Sequence, residues 1–125
     1  AMTDLVTVEK VLQRILQLDE SYQNSGALLF FGAYNATRPA MIGGNPELAK
    51  EYFEKALRNT NRRFLLIQVT YAETYARQTL DKELHDRLLQ EVLAFPLASA
   101  PDRALSNQIA KRKARRLLAD SYFDE

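Results

Sequence analysis

The sequence contains no cysteine, which excludes disulfide bonds, thiolate catalysis and cysteine-ligated metal sites. A chain without thiols is compatible with any compartment, including an oxidising one. No apolar run approaches the 18 residues that a membrane-spanning helix needs, so no transmembrane segment is predicted. The N-terminus has no basic-then-apolar signal segment. Ala1 before Met2 has the form of a cloning remnant, so this absence says little about a signal or lipid anchor.

Histidine is almost as scarce, and the single one is His85. We expect it to be a partly exposed residue on a helix surface, beside Asp86. No nucleophile elbow, ligand-like histidine spacing, or phosphate- or dinucleotide-binding loop accompanies it. The sequence therefore predicts no catalytic residue, no metal site and no cofactor. An enzyme that uses His85 is kept only as a third hypothesis.

The chain also lacks a large excess of charge of one sign. It has 17 basic and 16 acidic residues, and its net charge is +1. That balance argues against a general nucleic-acid binder. The 125 residues, of which 46% are hydrophobic, are enough for one domain with a real core. We therefore expect a single domain that covers residues 1–125.

Apolar residues recur at intervals of three and four throughout the chain, and no strand-like alternation is present. Asn45 and Asp81 are expected N-caps, and Pro46 suits the first position of a helix. The pattern predicts an all-α protein in which about six helices form antiparallel hairpin pairs, either a tetratricopeptide-like (TPR-like) α/α solenoid fragment or a compact bundle. The predicted helices cover about residues 4–19, 23–37, 46–58, 64–78, 81–96 and 102–120, and the fifth range includes the N-cap Asp81.

The stretch 26–57 contains two of these helices and the loop between them. Gly32 costs about 1 kcal/mol of helix propensity against alanine, so we expect a neighbouring helix to press close there. The loop places Met41 and Ile42 among Pro and Gly residues, although loops usually lack apolar side chains. It either folds back over the core or forms an apolar rim for a ligand or partner, with Gly43 and Gly44 allowing close backbone approach.

Three polar residues interrupt apolar positions of the predicted helices. Asn35 and Arg38 continue the line of Leu28 and Phe31, and Gln68 sits in the apolar run of the fourth predicted helix. Buried polar groups must be paired. Each is therefore either an internally hydrogen-bonded group or a ligand contact.

The last predicted helix contains the basic run Lys111–Arg116. Arg112 and Arg116 fall on one stripe with Leu105 and Ile109, so we expect both arginines to be partly enclosed. Their partners would be carboxylates such as those of Glu73, Asp81 or Asp86, or an anionic ligand, which guanidinium groups suit. Nucleic acid is a third alternative, but aromatic residues do not interleave with the charges.

Three segments together resemble the TatT family, the TPR-like proteins associated with TRAP transporters. They are RPAMIGGNPELAKEYFEKAL, VTYAETYARQTLDKELHDRLLQEVLAFP and ALSNQIAKRKARRLL, and the similarity covers about residues 26–118. The resemblance implies an all-helical, periplasmic protein without enzyme activity. It also implies that the protein self-associates and that it acts together with the substrate-binding component of a TRAP uptake system. The chain is shorter than larger members and shows no lipobox cysteine.

Our leading hypothesis is a TRAP-associated module that binds a small, largely apolar molecule, with a carboxylate as an option, and passes it to or receives it from that component. The competing hypothesis is a TPR-like interaction scaffold without a small ligand. Tyrosines that line a cavity would favour the first, and the same tyrosines in a dry core would favour the second. The candidate ligand-binding residues are Phe31, Tyr34, Asn35, Arg38, Met41, Ile42, Gly43, Gly44, Gln68, Tyr71, Tyr75, Arg112 and Arg116.

Overall fold

A computed structural model describes residues 10, 11, 13, 14, 22–38, 44–120, 122 and 123. Within these ranges the chain forms helices and turns and no strand, which confirms the all-α prediction. Five α-helices have described bounds. They are α1 (Tyr22–Thr37), α2 (Pro46–Asn59), α3 (Leu66–Tyr71), α4 (Lys82–Ala94) and α5 (Ala104–Ala119).

The observed helix limits agree with most of the predicted ones, and they differ clearly in two of the predicted helices. Of the predicted helix 4–19, only residues 10, 11, 13 and 14 are described, and they are helical. The predicted helix 64–78 is α3 followed by a π-helical turn at Ala72–Ala76. The start of the last helix is delayed to Ala104 by two 3₁₀ turns, Leu97–Ser99 and Pro101–Arg103.

The two predicted N-caps are confirmed. The side chain of Asn45 accepts a hydrogen bond from the Leu48 amide at 3.1 Å, and Pro46 occupies the first turn of α2. The side chain of Asp81 accepts from the Leu84 amide at 3.1 Å and begins α4. Each cap satisfies one amide that the first turn of a helix leaves without an intrahelical partner.

Helices α1 and α2 form the most extensive helix pair in the described chain. Their contact depends on Gly32, where an added Cβ would lie 3.0 Å from three ring atoms of Phe53. The predicted close approach at Gly32 is therefore confirmed. The core around this contact is built from small and large apolar residues, among them Leu28, Ala49, Phe53, Ala56, Leu57, Ile67, Tyr71, Leu88, Leu89, Val92, Ala110 and Ala114.

Helix α5 is fixed to the rest of the protein by Asn107, a fully buried polar residue. Its Oδ1 accepts from the Leu65 amide at 2.9 Å, and its Nδ2 donates to the Arg63 carbonyl at 3.0 Å. Leu65 lies at the start of α3, which has no side-chain cap of its own. Asn107 therefore supplies from α5 the hydrogen bond that a local cap would supply.

Candidate functional site

An aromatic face, defined here as Phe30, Phe31, Tyr34 and Tyr52, lies along α1 and the adjoining side of α2. Phe30 is edge-on to Phe31 at 5.3 Å between ring centroids and stacks on Tyr34 at 5.8 Å, and Phe31 contacts Tyr52 at 5.9 Å. The guanidinium of Arg38 lies over the Tyr34 ring, 4.4 Å from its centroid. Phe30, Tyr34, Tyr52 and Arg38 are only half-buried, so the face can still contact a ligand or partner.

In the sequence, the predicted loop connects α1 to α2. Met41, Ile42 and Gly43 lie outside the described residues, whereas Gly44 is half-buried directly before the cap of α2. Asn35 is buried, and its side-chain Nδ2 donates to the Phe31 carbonyl at 2.8 Å. The backbone carbonyl of Asn35 accepts from the backbone amide of Asn45. The first of the two readings of Asn35, an internally paired group, accounts for its position.

A groove of about 360 Å³ runs along α2 next to the aromatic face. Its apolar members are Leu48 and Tyr52, and its charged members are Glu51, Lys55 and Arg58. Tyr52 belongs to both the groove and the face. Together they offer apolar contact area beside two cations and one carboxylate, and the cations suit the anionic end of a mainly apolar molecule.

Tyr71 and Tyr75 lie at the junction of α3 and the π-helical turn. The Tyr71 ring is buried and stacks on Phe53 at 4.8 Å, and Tyr75 lies 5.5 Å from it and is half-buried. The Tyr71 hydroxyl donates to Glu54 at 2.8 Å. Burial and this hydrogen bond raise the pKa of Tyr71 above its ordinary value, so the hydroxyl stays a donor at neutral pH.

A cleft of about 590 Å³ lies between α2 and α4. The hydroxyl end of Tyr71 approaches it although the Tyr71 ring is buried. None of the ion pairs in the described chain joins two of the cleft's charged residues. Its lining is mostly polar, so a small charged molecule fits it better than an apolar one. The lining residues are Lys50, Glu54, Tyr71, Asp81, Glu83, Leu84 and Arg87.

Gln68 is buried in a polar network instead of a cavity. Its Nε2 donates to the Arg62 carbonyl at 3.1 Å and to Glu91 at 2.9 Å. Glu91 also accepts two hydrogen bonds from the Arg62 guanidinium, at 2.8 and 2.6 Å. Oε1 of Gln68 is buried without a hydrogen-bond partner among the described atoms. Because both neighbours of Nε2 are acceptors, the orientation of this amide is fixed.

The expected enclosure of Arg112 and Arg116 is wrong, because both side chains are exposed. The whole predicted stripe faces outward, with Leu105 72% and Ile109 52% exposed. Helix α5 buries instead the side that carries Asn107, Ala110, Ala114 and Leu117. The carboxylate of Glu73, named as a partner for these arginines, pairs with Lys113 at 2.8 Å.

The expected surface position of His85 is also wrong, since the residue is only 2% exposed. Its Nε2 accepts from Arg77 Nε at 3.2 Å, and its Nδ1 lies 2.9 Å from Asp86 Oδ1. The Phe123 ring is edge-on to the imidazole at 4.9 Å. The ring is thus held in one orientation by three neighbours, beside a cavity of about 120 Å³.

Sequence reasoning missed the charged lining of the cleft and the role of Asn107. Lys50 with Glu54 and Glu83 with Arg87 are spaced four residues apart, the ordinary pattern of a solvated helix face. That pattern gave no signal for a cleft. Asn107 did leave a signal, because it continues the line of Ala110, Ala114 and Leu117 at helical spacing.

Neither a metal site nor a membrane-spanning helix is present in the described part of the chain. No group of three or more His, Cys, Asp or Glu residues there could hold a metal ion. None of the described helices has the length and apolar character needed to cross a bilayer. What the described residues offer is an aromatic face, a charged cleft and an exposed stripe, the features of an all-helical binding or interaction protein.

Comparison with known families identifies the chain more closely. It belongs to the family described as TAtT, the TRAP transporter T-component, whose model matches residues 1–123. A search of curated proteins gave no significant match. The resemblance found in the three sequence segments is thereby confirmed, and the chain is an accessory component associated with a TRAP transporter.

Proposed function

We propose that this protein is a periplasmic module that contacts the substrate-binding component of a TRAP transporter and binds a small, largely apolar ligand with a carboxylate end. Membership of the T-component family is the observation that carries this proposal. We also propose that the module has no enzyme activity of its own and that it self-associates. Membership of the T-component family supports a role with the transporter. The geometry of the aromatic face and the groove supports the proposed chemistry of the ligand.

The ligand is assigned to the aromatic face and the adjoining groove. The half-buried rings of Tyr34 and Tyr52 supply apolar contact area at small conformational cost. Arg38, held over Tyr34 at 4.4 Å, is placed to receive a carboxylate through its planar guanidinium. The cleft between α2 and α4 is less suitable, since five of its seven lining residues are charged and Tyr71 is the one aromatic residue among them.

Native mass spectrometry of the purified protein tests the ligand and the subunit number in one measurement. We expect a retained small molecule in the wild type and its loss in Tyr34→Ala and Arg38→Ala. Lys50→Ala and Arg87→Ala, which alter the cleft, serve as matched controls and should retain the molecule. Loss in the cleft variants but not in the face variants would move the site to the cleft.

The second candidate function is a scaffold without a small ligand, and specific observations favour it too. The Tyr71 ring is buried and stacks on Phe53, and Asn35 Nδ2 donates to a carbonyl of its own helix. Under this alternative the protein would bind the transporter component with equal affinity before and after partial unfolding and refolding, a treatment that would release any bound small molecule. Isothermal titration calorimetry of both preparations separates the two functions.

A further inference from the structure

The outward side of α5 carries an exposed stripe that the proposed ligand site does not use. We define the outer stripe as Leu105, Ile109, Arg112 and Arg116. At 100° per residue these four positions fall within about 60° of arc and extend about 16 Å along the helix. Its N-terminal half is apolar and exposed, and its C-terminal half is cationic and exposed.

The cations of the outer stripe differ from the two lysines of the same run, Lys111 and Lys113. Lys111 Nζ donates to the Val92 and Leu93 carbonyls at 2.7 and 2.9 Å and so caps the end of α4. Lys113 pairs with Glu73. Arg112 and Arg116, in contrast, have no hydrogen-bond or ion-pair partner among the described residues. The lysines of the run hold the fold together, and the two arginines are left available.

Two exposed large apolar side chains one helical turn apart form a small apolar patch, and apolar patches bordered by polar groups mark interaction sites. Leu105 and Ile109 are such a pair, at 72% and 52% exposure. Arginine is enriched at protein interfaces, where its guanidinium binds carboxylates with two parallel hydrogen bonds. An apolar pair followed by two unpaired guanidinium groups is therefore complementary to a protein surface that is apolar at one end and acidic at the other.

We infer that the outer stripe is a docking surface for an acidic and apolar face of the transporter's substrate-binding component. This inference rests on the proposed function for the identity of the partner. A membrane surface is less well matched, because interfacial helices place cations beside a long apolar face that carries large aromatic residues. Here the apolar part is two residues long and the cations follow it along the axis.

The test measures, by calorimetry at low and moderate salt, how tightly this protein binds the purified substrate-binding component of its TRAP transporter. Arg112→Glu and Arg116→Glu should each weaken binding by about tenfold or more and reduce its dependence on salt. Arg115→Glu is the matched control. Arg115 is exposed and unpaired among described residues but lies about 90° round the helix from the centre of the stripe, and its reversal should change the affinity by less than about threefold.

Two apolar variants, Leu105→Ser and Ile109→Ser, should also weaken binding. Because both side chains are already exposed, these variants should keep the wild-type unfolding temperature, which a thermal scan checks. If the wild type binds the component and all stripe variants bind equally well, the docking surface is refuted and the proposed function stands. If the wild type does not bind the component, both fail.

Two other results would also overturn the inference. Sedimentation analysis could reveal that stripe variants alter the subunit number, which would make the surface a contact between copies of this chain. Alternatively, the wild type could co-sediment with vesicles that contain anionic lipid while the stripe variants do not. The expected result is unchanged subunit number and no vesicle binding.

Discussion

The backbone of Gly32 lies directly against the face of the Phe53 ring, so that a Cβ at position 32 would meet three ring atoms at 3.0 Å. Phe53 in turn stacks on Tyr71, whose hydroxyl donates to Glu54 beside the cleft between α2 and α4. A single glycine thus sets the distance between α1 and α2 and the position of the aromatic stack between them. Its effect on stability can be measured directly.

We predict that Gly32→Ala destabilises the protein by about 1 kcal/mol. Alanine gains about 1 kcal/mol of helix propensity, but overpacking against a buried ring costs about 1–3 kcal/mol. The free energy of unfolding in urea measures the balance. In a Phe53→Leu background the ring is absent and the same substitution should become neutral or stabilising. A stabilising Gly32→Ala in the wild-type background would contradict the close contact.

How far the sequence predicted this structure is best seen in particular residues. The caps at Asn45 and Asp81 and the close approach at Gly32 were predictable, because each depends on local chemistry. The outward side of α5 was not, because Leu105 and Ile109 form as good an apolar stripe as the buried one. The burial of His85 depends on Arg77, in the preceding helical segment, and on Phe123, which is 38 residues further along the chain. Long-range contacts of this kind leave no local pattern.

The candidate site was predictable only in part, for the same physical reason. Phe31, Tyr34 and Arg38 lie one helical turn apart, so their proximity follows from the helix itself. The contribution of Tyr52 and the charged cleft between α2 and α4 depend on how helices pack. Periodicity specifies which residues share a face, but it does not specify what that face meets.

We predict that Asn107→Leu lowers the free energy of unfolding by about 2–4 kcal/mol. The substitution removes Oδ1 and Nδ2 of Asn107 at once. The buried Leu65 amide and the Arg63 carbonyl therefore lose their hydrogen bonds to this side chain. Urea unfolding monitored by circular dichroism gives the value. Gln108→Leu, at an exposed neighbouring position, is the control and should stay within about 0.5 kcal/mol. Equal values for the two variants would refute the structural role of Asn107.

The pH dependence of stability should contain a contribution from Glu91. Burial alone would raise the pKa of this carboxyl, but hydrogen bonds from Arg62 and Gln68 outweigh it and hold the pKa below its ordinary value. A depressed carboxyl pKa stabilises the fold above the unfolded pKa, about 4.3 for glutamate, and this stability is lost as the pH falls through the folded value.

We therefore predict that Glu91→Gln is less stable than the wild type at pH 7 and that the difference shrinks as the pH falls below about 4.3. Urea unfolding at several pH values between these limits measures it. Glu51→Gln, which alters an exposed carboxylate on α2, should leave the wild-type profile unchanged. A constant difference between Glu91→Gln and the wild type at all pH values would contradict the ionic role of Glu91.

Arg77 connects the end of the π-helical turn to α4 and to the end of α5. Its guanidinium donates to His85 Nε2, to Asp120 at 3.2 Å and to the Leu117 carbonyl at 3.3 Å. It also lies over the Tyr122 ring at 4.6 Å, and the Tyr122 hydroxyl donates to the Arg77 carbonyl. One side chain therefore secures the last turn of α5.

We predict that Arg77→Met loosens this turn and leaves the rest of the fold intact. Methionine keeps much of the length of arginine but can make none of these donated hydrogen bonds, so the amides between Leu117 and Asp120 should exchange with deuterium about tenfold faster. Amides of α2 should exchange at the wild-type rate. Arg115→Met removes an exposed arginine of the same helix and should change neither set. If both variants accelerate exchange equally, the loss is a general effect of removing charge from this end of the protein and Arg77 has no special role there.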